Sequence, residues 1–179
     1  MGQAAAGPVA RAARRRDTDG MIGMLLFALA AAAAPLFARA SEDLFGIAPC
    51  ELCSWQRWPY WAAAGLALGS ALVPPAWRRP LAWLAILAVL VSGAIAGFHI
   101  GVEQGWWPSP LPGCQAPRSA GGATVDDLMA ALAPRPSKPC DAPTYLIPGL
   151  PLSMAAMNLL YALGLSSLGA IWMRRGANR

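Results

Sequence analysis

The stretch LAWLAILAVLVSGAIAGFHIGVE, residues 81–103, carries no Asp, Glu, Lys or Arg until its final glutamate. A helix over these residues is about 35 Å long, enough to cross a hydrocarbon core of about 30 Å. The apolar side chains come as a run and not as one face, so water is the wrong solvent for it. Composition agrees: only 13% of the chain is charged and 56% is apolar, whereas a soluble domain carries roughly 25% charge.

Outward from this stretch, three more have the same character, at about 21–38, 58–74 and 150–173. The first is the shortest and is rich in alanine. The fold class predicted is an all-α membrane protein, a four-transmembrane-helix bundle. A basic tail, 1–20, precedes a single membrane domain, 21–179. Two segments are left outside the spans, at about 39–57 and 104–149. The second is rich in Pro and Gly and holds Asp126, Asp127, Arg135, Lys138 and Asp141.

Orientation follows from the basic residues, which collect on the cytoplasmic side. Arg11, Arg14, Arg15 and Arg16 lie in the N-terminal tail, Arg78 and Arg79 between the second and third spans, and Arg174, Arg175 and Arg179 at the C-terminus. With four spans these fall on one side: nine of fourteen basic residues, joined only by Asp17 and Asp19 among the nine acids. Both termini are therefore predicted to be cytoplasmic. The net charge of +5 is read as a topology signal with anionic lipid as its partner, not nucleic acid. All eight tryptophans fall near a predicted interface, where an amphipathic ring anchors a span. "ARA" before Ser41 resembles a cleavable signal, but Arg39 fits the small-x-small motif poorly. The first span is read as retained.

Cys50, Cys53, Cys114 and Cys140 all fall on the outer side, which in a bacterial-type membrane is oxidising. Structural zinc is disfavoured, because Cys114 and Cys140 are too far apart to supply the usual second close pair. Two inert disulfides suit Cys114 and Cys140. They suit Cys50 and Cys53 badly, since so short a loop gains little stability and is easily reduced. Redox exchange requires a labile pair, and Cys53 lies at a predicted helix start with Arg57 one turn on, which favours a thiolate. The spacing favours this third reading.

Arg57 sits near the start of a span, where a lone arginine is costly, although snorkelling accounts for it too. His99, the only histidine, lies at a similar depth, with Glu103 on the same helix face. The chain has neither a Gly-rich dinucleotide fingerprint nor a haem-type Cys-x-x-Cys-His. A quinone dissolved in the bilayer is the acceptor that reaches Cys53 from the side. Arg57 and His99 are candidates to bond its carbonyls.

"PCELCSWQR" (49–57) resembles the P-C-x-L-C-x-x-x-R signature of the DsbB family of inner-membrane, quinone-linked, disulfide-generating proteins. "FHIGVEQGWWPSPLPGC" (98–114) and "PCDAPTYLIPGLPLSMAAMN" (139–158) are similar to that family's third-helix end and fourth-helix entry. The resemblance implies two periplasmic loops, an inner-membrane location and a Cys114–Cys140 disulfide facing a DsbA-like periplasmic thiol oxidase. It implies that the partner attacks Cys114, that Cys140 then attacks Cys50, and that Cys53 donates to ubiquinone or menaquinone. Arg57 carries over as the quinone-site cation and His99 as a neighbour of the ring. Gln56 stands where some members have an acid, and the first twenty residues have no counterpart. A vitamin K epoxide reductase-like protein has its cysteine pairs in the reverse order, and a disulfide-stapled scaffold is the non-enzyme alternative. Within 104–149, "TVDDLMAALAP" (124–134) predicts a short helix capped by Thr124.

Overall fold

Among the described residues proline and glycine punctuate the chain into four helices: α1 (Pro8–Phe45), α2 (Glu51–Leu72), α3 (Pro75–Glu103) and α4 (Met154–Ala177). The structure, a computed structural model, describes residues 7–111, 114, 138–147 and 149–177. The short helix predicted at 124–134 lies outside the described residues. Two isolated β-bridges, Cys50 with Lys138 and Tyr145 with Ser153, are the only extended pairings among them.

α1 begins with Pro8 at its first turn and stops at Gly46, whose φ of 62° is left-handed and therefore suits glycine. The apolar run expected at 21–38 is thus the middle of a 38-residue helix. Residues 39–45 contain no glycine or proline, so nothing breaks the helix where the apolar run ends. Ser41 Oγ donates to the Phe37 carbonyl at 2.9 Å within this extension. α2 likewise begins at Glu51, ahead of the expected 58. Cys50 is its N-cap, accepting at Sγ from the Cys53 amide. Hydropathy marks where a helix is apolar, not where it starts, and the external segment expected at 39–57 is left with only 46–50 outside helix.

Thr18–Phe45, Pro75–Glu103 and Met154–Gly176 are long and apolar enough to cross a membrane. α2 matches them in length, with 22 residues, but its first two turns carry Glu51, Gln56 and Arg57. α3 packs against both α2 and α4, and α1 packs against α2 and, less extensively, α4.

The packing sorts residues by size. Ala31, Ala63, Ala67, Ala85 and Ala162 are fully buried, whereas Leu26, Leu29, Leu68, Leu87 and Leu168 are exposed. In lipid no hydrophobic force draws leucines inward, and small residues let helix backbones approach. Gly93 shows how near: a Cβ built there lies 3.0 Å from the Ala162 Cβ across the α3–α4 contact. At one end of the bundle the interior becomes polar, and this end carries the cysteines.

Candidate active site: two disulfides beside an apolar cavity

Cys50 and Cys53 sit across the N-cap and first turn of α2, where their Cα atoms are 5.1 Å apart and joined by a disulfide. The Cys53 amide donates to Cys50 Sγ at 3.1 Å, one of the first-turn donors that no helical carbonyl can serve. Cys114 and Cys140, 26 positions apart in sequence, form the second disulfide. The Cys140 amide donates to the Cys114 carbonyl at 3.2 Å.

The two disulfides meet. Lys138 donates its backbone N–H to the Pro49 carbonyl at 3.3 Å, laying the second cysteine segment beside the first. The Lys138 ammonium donates to the Pro143 carbonyl and Thr144 Oγ1, each at 3.0 Å, bracing the turn that follows. Cys50, Cys53, Cys114 and Cys140 then share one apolar cluster with Leu52, Ile95, Val102 and Leu111. Cys140 is fully buried, and Cys53 is the half-buried member of its pair.

His99 is the joint between the pairs. Its Nε2 lies 3.3 Å from the Cys140 carbonyl and 3.6 Å from Cys50 Sγ. Glu103 Oε1 is 3.9 Å away, as the spacing of four predicts, and Glu103 also accepts from Ser153 Oγ at 2.6 Å. Gln56 Nε2 lies 2.9 Å from His99 Nδ1 on the other side of the ring.

Arg57 faces elsewhere. Its guanidinium pairs with Glu42 near the end of α1, with Nη1 3.2 Å from Glu42 Oε2. With Cys53, Gln56 and Tyr60 of α2 it lines a cavity of about 400 Å³ that α1 closes with Ala34 and Phe37, and α4 with Met157 and Tyr161. Arg57 Nε is buried and has no hydrogen-bond partner among the described residues. Cys53 and Arg57 both line the cavity, whereas His99 is not on its wall. It reaches the cavity only through Gln56.

Cys50, Cys53 and His99 offer three ligand atoms within 4.8 Å. With the sulfurs bonded to each other, two of the three are not thiolates, the form in which cysteine binds zinc. The oxidised site does not fit a metal.

Sequence reasoning passed over Glu42, Tyr60, Ser92 and Asn158. Asn158 and Ser92 had a readable signal, as uncharged polar groups inside apolar runs. Glu42 had none, because its partner is 15 positions away across a turn whose length hydropathy does not show.

Helices fit for a membrane, carrying two disulfides in one buried cluster, define a helical membrane protein built around paired cysteines. The chain belongs to the DsbB family: the family model described as Disulfide bond formation protein DsbB matches residues 21–172. It is accordingly a disulfide-bond-forming oxidoreductase of the membrane. Comparison with curated proteins and with solved structures finds no match.

Proposed function

We propose that the chain reoxidises a DsbA-like periplasmic thiol oxidase and passes the two electrons to a membrane quinone, ubiquinone or menaquinone. On this reading it is a four-span protein of the bacterial inner membrane, with both termini cytoplasmic and its cysteines toward the periplasm. One observation carries the reading: Cys53 belongs to the disulfide cluster and also lines the apolar cavity that holds Arg57.

The cavity suits a flat apolar ring. Its walls are largely alanine, methionine and aromatic carbon, and the unpartnered Arg57 Nε–H is a donor for a carbonyl oxygen. A bound quinone supplies a two-electron, two-proton acceptor. Cys53 would meet it at the sulfur end, and Arg57 would hold its oxygen.

The cysteines do the remaining chemistry one thiolate at a time. The partner's thiolate bonds to Cys114, breaking Cys114–Cys140, and Cys140 departs with the electron pair. Cys140 attacks Cys50, breaking Cys50–Cys53 and leaving the pair on Cys53. The partner's second thiol displaces Cys114 and the partner leaves oxidised. Cys114 then takes Cys140 back from Cys50, so Cys50 and Cys53 are a dithiol holding two electrons beside the cavity.

The test is quinone consumption by the purified protein in detergent, given a reduced Cys-x-x-Cys partner and a soluble quinone analogue. Cys53→Ser should abolish turnover and Arg57→Ala should weaken it. No consumption by the unmodified protein, across several quinones and partners, would favour a disulfide-stapled scaffold.

A further inference from the structure

Between α2, α3 and α4 the buried Tyr60, Gln56 and His99 and the half-buried Asn158 form one continuous chain of hydrogen bonds. Tyr60 OH lies 2.8 Å from Asn158 Oδ1, and Asn158 Nδ2 lies 2.7 Å from Gln56 Oε1. Gln56 Nε2 continues to His99 Nδ1 at 2.9 Å. Taken alone, such a chain could run in either sense, because both amides can turn over and the imidazole has two neutral tautomers.

Two backbone carbonyls remove the ambiguity, since a carbonyl only accepts. Ser92 Oγ donates to the Gln56 carbonyl at 2.8 Å, so its hydrogen is committed and its oxygen accepts from Asn158 at 3.3 Å. The Asn158 atom facing Ser92 is therefore the nitrogen. The same nitrogen meets Gln56, which must present Oε1 to it, leaving the Gln56 amide nitrogen to donate to His99 Nδ1. Nδ1 accepts, and the ring proton sits on Nε2. At the far end Nε2 faces the Cys140 carbonyl, which demands a donor there. Both ends of the chain require the same sense.

We propose that Gln56, Asn158 and Tyr60 are positioning residues that fix His99 as the Nε2–H tautomer, and that this N–H docks the Cys140 segment against the Cys50 sulfur. The docking matters for function only if Cys140 exchanges with Cys50, so this part rests on the relay proposed above. No proton is transferred. The N–H is shared between the carbonyl of the attacking residue and the sulfur attacked; the uncharged groups face Nδ1, and Glu103 Oε1, 3.9 Å from Nε2, favours a proton on the same nitrogen.

His99 is the only histidine, so imidazole ¹⁵N labelling reads it without assignment. In the unmodified oxidised protein Nδ1 should resonate as an unprotonated ring nitrogen and Nε2 as an N–H. A protonated Nδ1 in the neutral ring, or a fast mixture of tautomers, overturns the assignment. Gln56→Glu, once ionised, offers Nδ1 only acceptors and should move a proton onto it. Asn158→Leu frees the Gln56 amide to turn over and should admit a minor Nδ1–H fraction against the Cys140 carbonyl that still faces Nε2, and Tyr60→Phe, which removes a single hydroxyl, gives a milder change if Asn158→Leu fails to fold.

The docking is read separately. In a Cys53→Ser, Cys114→Ser background, diamide should join Cys50 to Cys140, being reduced to its hydrazine as the two thiols become a disulfide. Adding Asn158→Leu or Tyr60→Phe should slow this joining, by up to about tenfold, the scale of one buried hydrogen bond. Unchanged rates in both variants, with the tautomer altered, would overturn the docking role. Neither measurement contains quinone or partner, so failure here is distinguishable from failure of the electron-transfer reading.

Discussion

Glu42 of α1 and Arg57 of α2 form an ion pair at the cavity that Cys53 lines, with side chains 14% and 17% exposed. The helical extension of α1 beyond its apolar run brings the carboxylate there. An arginine this close to a membrane interior needs such a partner, and the pair leaves Nε–H as the unused donor.

Breaking the pair from the acidic side should be worse than removing both charges. Glu42→Gln leaves a largely buried guanidinium uncompensated and should lower stability by about 2 kcal/mol, below the range for fully buried pairs. Arg57→Gln added to Glu42→Gln should recover part of that loss. Thermal unfolding of the single and double variants in detergent measures both values. Strict additivity would show that the pair does not couple.

Filling the cavity should separate the two halves of the proposed reaction. Ala34 lines it from α1 and Cys53 from α2. Ala34→Phe should raise the KM for a soluble quinone at least about tenfold, the consequence of losing roughly 1.4 kcal/mol of binding. Thiol exchange with a reduced partner, followed by gel shift without quinone, should keep its rate.

Reduced protein should label in an order set by burial. Cys53 is half-buried, Cys50 is 5% exposed and Cys140 is 0% exposed. After mild reduction, a small apolar maleimide should modify Cys53 first, as read by peptide mass mapping over time. Cys140 labelling ahead of Cys53 would mean that reduction releases the second cysteine segment from the cluster.

The α3–α4 contact should be intolerant of volume. A Cβ at Gly93 meets Ala162 at 3.0 Å, tighter than ordinary contact, so Gly93→Ala should cost about 1 kcal/mol or less, the better helix propensity of alanine offsetting part of the shift, whereas Gly93→Leu should cost about 2–3 kcal/mol by overpacking. Unfolding in a denaturing detergent titration distinguishes the two.

The sequence by itself determined the helices, because a run such as 81–102 without charge leaves the backbone no way to satisfy its polar groups in lipid except an α-helix. It also singled out the four cysteines, Arg57 and His99, and these lie in the cluster, at the cavity or between the two. It did not show where α1 ends or α2 begins, since helix ends follow from glycine and capping, not from hydropathy. Nor did it show that Arg57 and His99 face different ways. Residues at similar depth on two helices share a site only if their faces do, and packing sets those faces. Only the tertiary structure joined Tyr60, Asn158, Gln56 and His99, because each of those bonds crosses from one helix to another. A hydrogen bond between partners far apart in sequence leaves no local pattern to read; it exists only once the helices have packed.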